Sequence, residues 1–214
     1  MYFKSKLFRL TITTVVSCAC FLGISQLKFS TIEASDLSKT ETYPTEIAST
    51  MWKDGFFPVE NFQSYTSPFG YRRSPLTGEV QFHNGLDMAA PLGSYVRSWW
   101  GGKIVEVSQD NACGTHVIVQ SGSWEHVYCH LKGHVETSGQ NRLMVDTGGG
   151  IQLAQGQEIV AGTRIGRIGM TGRTTGPHLH WVLKHNGSYI DPASVLREMF
   201  RQQASLMPKS QNWS

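Results

Sequence analysis

Residues 177–191 read PHLHWVLKHNGSYID, two short runs of β-formers on either side of Asn186-Gly187. Asn-Gly suits a two-residue hairpin turn because both positions tolerate positive φ. The flanking runs are therefore expected to pair as antiparallel strands. In the first run alternate side chains share a face, so His178 and His180 look the same way with Cα atoms about 6.5–7 Å apart. That is too wide for casual stacking. It suits one imidazole that binds a metal and another that reaches a molecule held there. An isolated HxH is a weak signal, so the reading turns on partners elsewhere in the chain.

The same texture extends toward the N-terminus. From about Phe62 the chain is a series of short runs, among them GSYVRSWW, GKIVEVS, GTHVIVQS, WEHVYCHL and RIGRIGM, separated by turn residues. Their Val, Ile, Tyr and Trp content is that of strands. No amphipathic helix occupies the centre. One is expected late, where Asp191 can cap, Pro192 suits the first helical position and ASVLREMFRQQ follows with helical spacing. With 214 residues, 40% hydrophobic, and 22 glycines for tight turns, the chain has room for one domain of ordinary size plus extensions. The expected fold is all-β over 62–197, antiparallel sheets packed as an open sandwich with a short C-terminal helix, 198–214 being the helix end and tail. Residues 136–150, ETSGQNRLMVDTGGG, lack a pattern and are expected to form a surface insertion. Residues 35–61 are polar at first and without clean periodicity, a linker or a pro-segment able to lie across a cleft.

The N-terminus reads as a targeting segment. MYFKSKLFR carries three cations and LTITTVVSCACFLGISQL follows without charge, the pattern of an export signal. A membrane anchor is the rival, because the stretch reaches only the lower edge of the roughly 17–25 residues a spanning helix needs. Its Thr, Ser and Gln content favours a cleaved signal over residues 1–34, with Ile32-Glu33-Ala34 as a cleavage site. Without that segment the chain loses four of its 19 cations and one of its 16 anions, leaving fifteen of each. The apparent basicity belongs to the leader, and no clustered Lys/Arg footprint for nucleic acid remains. A membrane would be met only through an uncleaved N-terminal segment. Cys113 and Cys129 are the only cysteines beyond the leader. Export permits a disulfide between them, although a simple hairpin through Gly122-Ser123 sets Cys129 opposite His116 instead.

Partners for the paired histidines do exist. HExxH and CxxC are absent, which excludes the HExxH arrangement with its helical glutamate base and argues against a zinc knuckle. His83-Asn84-Gly85-Leu86-Asp87 is present. On a straight strand its ends would start about 13 Å apart, but Asn-Gly is a preferred bend that brings them together. His83, Asp87 and one histidine of the later pair make a two-His, one-carboxylate set with the fourth position open, the pattern of catalytic zinc. Such a site still needs groups to accept a proton, hold an oxyanion and protonate a leaving amine. The histidines left over, His178 and His130 of Tyr128-Cys129-His130-Leu131, are the candidates. Strand alternation would send Tyr128 and His130 to one face and Cys129 to the other.

The order SPFGYRRSPLTGEVQFHNGLD, VYCHL, GxTG, GPHLHW and DP resembles the lysostaphin-like, LytM-type zinc metallopeptidases, endopeptidases that cut peptide bonds in bacterial peptidoglycan. The resemblance runs from about Ser67 to Leu196. It implies that His83, Asp87 and His180 bind Zn2+, that His130 and His178 are the two catalytic histidines outside the ligand set, and that β-sheets form an open groove above the metal. It also implies an extracytoplasmic place of action: periplasmic, wall-associated or secreted. Two departures concern the groove. Val182 stands where the family commonly has an acidic residue, and Trp99-Trp100 stand where smaller residues are usual. The rival class is a non-enzymatic module of the same family that binds cell wall or activates a partner wall hydrolase. A zinc carboxypeptidase is a third reading, with a wider first His–Asp spacing than HxxxD. His116, His126, His134 and His185 are expected at the surface or in hairpins, and Trp99, Trp100, Trp124 and Trp181 in packing. A groove role is conceivable for Tyr71 or Tyr128.

Overall fold

The computed structural model describes residues 52–139 and 141–206. The expected export signal or anchor at 1–34, the linker as far as residue 51, Cys18 and Cys20, and the tail beyond Leu206 lie outside the described residues. A 3-10 turn at Trp52–Asp54 leads into β1 (Ser64–Ser67), β2 (Gly70–Arg73), β3 (Val80–His83), β4 (Leu86–Ala89) and β5 (Tyr95–Arg97). Three long strands follow, β6 (Gly102–Asp110), β7 (Gly114–Ser121) and β8 (Trp124–Leu131). Next come β9 (His134–Ser138), β10 (Asn141–Asp146), β11 (Ile151–Ala154), β12 (Glu158–Ile159) and β13 (Arg164–Arg167). Strands β14 (His178–His185) and β15 (Ser188–Ile190) precede helix α1 (Pro192–Leu206).

The all-β expectation holds. An antiparallel sheet runs β1-β4-β14-β8-β7-β6-β12, with β15 also on β14. The hairpin forms at Asn186 (φ 48°) and Gly187 (φ 79°), pairing His185 with Ser188. Side-chain alternation gives this sheet two unlike faces. Val117, Val119, Tyr128, Leu179, Trp181 and Leu183 point into one core, shared with Val96 and Ile165 of the β5–β13 pair and Met144 and Leu153 of the β9–β11 sheet. The opposite face carries only a small apolar patch of Val127, Cys129 and Val182. Helix α1 starts as expected, with Asp191 Oδ1 accepting from the Ala193 amide at 2.9 Å.

Two boundaries differ from the sequence reading. Residues 136–150 are not a surface insertion: β9, β10 and β11 form a sheet, Met144 is buried, and Arg167 clamps Asp146 with two bonds of 2.6 and 2.7 Å. The β-forming run Leu143–Met144–Val145 was hidden between glycine- and serine-rich flanks. Nor does the domain begin at 62. Trp52 is buried and stacks on Trp99 at 4.9 Å, its amide bonds to Gln202 of α1, and Glu60 binds Arg97 and Arg164. Residues 52–61 thus pack on the core, and none of them lines the groove.

His116 and His126, expected at the surface or in hairpins, lie in the β7–β8 hairpin and are buried. His116 bonds to the Gly114 carbonyl at 2.9 Å, and His126 sits among the tryptophans, edge-on to Trp99. Donor counting fixes the state of His126. Ser121 gives its proton to the Gly101 carbonyl at 2.6 Å, so it accepts from His126 Nε2–H at 2.8 Å. Tyr128 accepts the Trp99 amide and donates to His126 Nδ1 at 2.7 Å. The chain of bonds closes only around a neutral imidazole, and burial pushes its pKa down to about 3 from 6.5. The unfolded chain takes up this proton near pH 6.5 and the folded one only near 3. Stability contributed by neutral His126 is therefore present above 6.5 and lost as pH falls toward 3, at up to about 1.4 kcal/mol per pH unit. His126→Leu should cost about 1–3 kcal/mol at pH 7 by orphaning Ser121 and Tyr128, yet flatten that acid slope. Urea melts of both proteins at pH 7, 6 and 5 check this, and parallel slopes would contradict it.

Candidate active site

The site lies on the open face of the large sheet, where β4 pairs with β14 so that Asp87 stands opposite His180. Leu86 and Met88 on one strand and Leu179 and Trp181 on the other turn into the core, which leaves Asp87, His178 and His180 facing out. His83 ends β3 and returns over β14 through Asn84-Gly85. A Cβ at Gly85 would lie 2.6 Å from the Trp181 carbonyl oxygen and 2.7 Å from the His180 ring, so only glycine fits this crossing. The expected bend is thus present, and it folds His83 back onto Asp87.

The three side chains converge. His83 Nε2 lies 3.0 Å from His180 Nδ1 and 3.2 Å from Asp87 Oδ1, and His180 Nδ1 lies 2.8 Å from the same oxygen. Ligand atoms of this group all lie within 4.8 Å of one another. His83 Nδ1–H donates to the Pro68 carbonyl at 2.7 Å, which fixes the tautomer and leaves the Nε2 lone pair on the shared point. Burial opposes ionisation of Asp87, but hydrogen bonds from His180 and His83 outweigh it and hold the carboxyl well below the usual range. Burial lowers the His180 pKa, with Asp87 pulling the other way. Zinc bonds of about 2.0–2.1 Å in a tetrahedron set donors roughly 3.3–3.4 Å apart. The donor set present here, two neutral-capable imidazoles and an ionised carboxylate slightly closer than that, fits such an ion after a small outward motion.

His130 and His178 flank this group, their rings 4.8 Å apart. His178 Nδ1 bonds to the Gly176 carbonyl at 2.8 Å and lies 3.2 Å from Thr174 Oγ1, which leaves Nε2 on the site side, 3.7 Å from Asp87 Oδ1. His130 Nδ1–H donates to the Thr171 carbonyl at 2.9 Å, so its Nε2 carries a free lone pair. Burial, partly offset by that bond, lowers its pKa to about 4 and keeps it neutral at pH 7.

His130 reaches the groove by a route that alternation does not predict. Tyr128 and Leu131 lie in the core while Val127, Cys129 and His130 all line the groove, so Tyr128 and His130 do not share a face. The β7–β8 ladder runs in simple register from Ser121–Trp124 to Val117–Tyr128, then shifts to Thr115–Leu131. Two residues, Cys129 and His130, thus oppose His116 alone, a β-bulge. His130 adopts φ 62°, left-handed and uncommon for a non-glycine residue. Cys113, in the turn just before β7, comes to a Cα separation of 4.9 Å from Cys129 beside this bulge, and the two form a disulfide.

The groove above these residues holds about 460 Å³. Arg72, Phe82, Arg173 and Tyr189 contribute to its walls, Val127, Cys129 and Val182 to its apolar floor. Tyr128 is fully buried beneath the sheet and takes no part in it, while Tyr71 is exposed, edge-on to Phe82. The sequence reading missed the backbone acceptors Pro68, Thr171 and Gly176. A carbonyl leaves no mark in residue identity, and the glycines near 169–176 signalled only that turns lay there.

Residues 81–148 and 143–192, together just over half of the chain, match the model of Peptidase family M23. The chain is 32% identical over 153 residues to the DD-carboxypeptidase/endopeptidase Mpg of Neisseria meningitidis serogroup B, covering 70% of this chain and 31% of that protein. It is 32% identical over 157 residues to the peptidoglycan DD-endopeptidase ShyA of Vibrio cholerae serotype O1, covering 72% and 32%. A crystal structure of a zinc containing peptidase from Vibrio cholerae aligns with TM-score 0.51 and 30% identity, covering 65% of this chain and 39% of that one. The chain therefore spans about a third of the length of these curated relatives. With the fold and the order of motifs in agreement, the chain belongs to peptidase family M23.

Proposed function

We propose that this protein is a zinc-dependent endopeptidase that hydrolyses peptide cross-links of bacterial peptidoglycan. The observation that carries the proposal is the convergence of His83, Asp87 and His180 from three strands, with two further histidines presenting free Nε2 atoms beside them. His83, Asp87 and His180 would hold a zinc ion, which when bound would supply Lewis acidity to acidify water and polarise a peptide carbonyl. His130 and His178 supply the proton traffic. Each is locked by an Nδ1–H···O=C bond into the tautomer whose Nε2 accepts a proton, and each can then return it to the departing amine. An open groove suits an extended peptide, and Arg72 and Arg173 on its walls suit the carboxylates of wall peptides.

The relatives named as DD-endopeptidases favour a bond between two D-centres, and the one also named DD-carboxypeptidase makes removal of a terminal residue a second activity to assay. Intact ligands and both histidines speak against a purely binding role. The site faces the exterior in this reading, in accord with the leader-like N-terminus. No described helix is long and apolar enough to cross a membrane.

Elemental analysis of the purified chain should find one zinc per chain, with affinity falling by about 100-fold or more in Asp87→Asn, which removes the charge of a ligand, or in His180→Ala, which removes a ligand outright. His178→Ala should keep the metal and lose about 10²- to 10⁴-fold in turnover, the range for a general acid or base. Incubation with purified wall should release peptides with new amino termini, identified by mass spectrometry. Absence of cleavage in every wall preparation, with zinc bound, would sink the enzymatic reading in favour of the binding module.

A further inference from the structure

We propose that the Cys113–Cys129 disulfide is a positioning element for catalysis, clamping the bulge that aims His130 into the groove, so that its reduction lowers turnover while the metal ligands stay in place. This rests on the peptidase reading for its catalytic consequence and on geometry alone for the clamp.

His130 sits in a left-handed conformation inside a strand, at the point where two residues of β8 oppose one of β7. An extended His130 would return to simple alternation, and its side chain would turn toward the core on the face of Tyr128 and send Leu131 toward the groove. Something must hold the unusual conformation. The His130 amide donates to the Cys113 carbonyl at 2.7 Å, and its own carbonyl accepts from Gly169 at 2.9 Å. Cys113 is thus both the hydrogen-bond acceptor for His130 and the covalent partner of Cys129, the residue before it. Asp110 Oδ1 steadies the same turn through the Ala112 and Cys113 amides at 2.7 and 2.6 Å. One side of the bulge is therefore tied by a covalent bond and a hydrogen bond to a single capped residue.

The metal ligands are held differently. His180 lies opposite Cys129 in the ladder, but its strand pairs with β4 on its other side and its ring bonds to Asp87 and His83. His83 is fixed from Pro68. Loss of the S–S bond leaves all of these contacts in place. Both cysteines line the groove, with Cys113 half-buried and Cys129 buried, so a small reductant meets the bond from the open face. Reduction by a phosphine balances as disulfide plus phosphine plus water giving two thiols and a phosphine oxide.

The test uses the full chain in three states: oxidised, treated with tris(2-carboxyethyl)phosphine, and as the C113S/C129S double variant, each with its circular dichroism spectrum checked. Backbone amide exchange at His130 and Gly169 should accelerate by about tenfold or more on reduction, since both report bonds of the bulge. On a cross-linked wall peptide, kcat should fall by about tenfold or more while KM and zinc content hold, and reoxidation should restore it. In His130→Ala, reduction should cost the residual cleavage nothing further, because the clamp acts through that imidazole. Unchanged exchange and turnover would overturn the proposal. So would loss of zinc, or an equal fold-loss in the His130→Ala background, either of which marks a general loosening. An oxidised, zinc-loaded chain that cleaves no wall peptide overturns the peptidase reading instead, and the exchange rates still decide the clamp.

Discussion

Asp87 and His180 face each other across one antiparallel strand pair, and the rest of the site is built around that register. A slip of one residue between β4 and β14 would carry either side chain into the core and bring Met88 or Leu179 out. The apolar neighbours prevent the slip. Leu86, Met88, Leu179, Trp181 and Leu183 are all buried in the same core, so the hydrophobic effect that stabilises the sheet also sets which donors face the groove. Packing energy and the placement of these side chains are specified by the same alternation.

A second constraint works through close backbone approach. Gly85 lets the β3–β4 connection cross over Trp181, and Gly169 allows its segment to lie against the backbone of His130 and Leu131. Any Cβ at either place would sit at 2.6 Å from a backbone atom. Main-chain carbonyl groups of otherwise unremarkable residues also meet the imidazole rings. Pro68, Thr171 and Gly176 each accept an Nδ1–H and so determine which nitrogen of His83, His130 and His178 carries the lone pair. Three histidines acquire a defined tautomer from main-chain atoms alone.

The two buried histidine environments divide along the faces of the sheet. Beneath it, His126 is locked neutral in a closed relay from Trp99 to Gly101 and serves the fold. Above it, His130 is also held neutral but keeps an unshared nitrogen toward the groove. The difference is whether every donor and acceptor finds an internal partner. Full satisfaction ties His126 into the fold, whereas the unshared nitrogen of His130 stays available to the groove.

Much of this was legible from residue order. Period-2 alternation in 178–185, the Asn-Gly turns and the Asp191-Pro192 start of the helix are local properties, and local chemistry is what sequence encodes directly. The convergence of His83, Asp87 and His180 was readable because HxxxD and HxH bring their own geometry, one by a bend and the other by alternation. What tertiary structure alone decided were matters of long-range pairing. The bulge at Cys129–His130, which reverses the expected face of His130, arises from a register shift that only the facing strand can impose, and the disulfide depends on the turn that sets Cys113 beside it. The docking of Trp52 and Glu60 onto the domain, the strand at Asn141–Asp146 and the burial of His116 and His126 likewise depend on partners distant in the chain. Side-chain identity announces what a residue can bond to, whereas the backbone carbonyl that meets it is common to all twenty and is chosen by the fold.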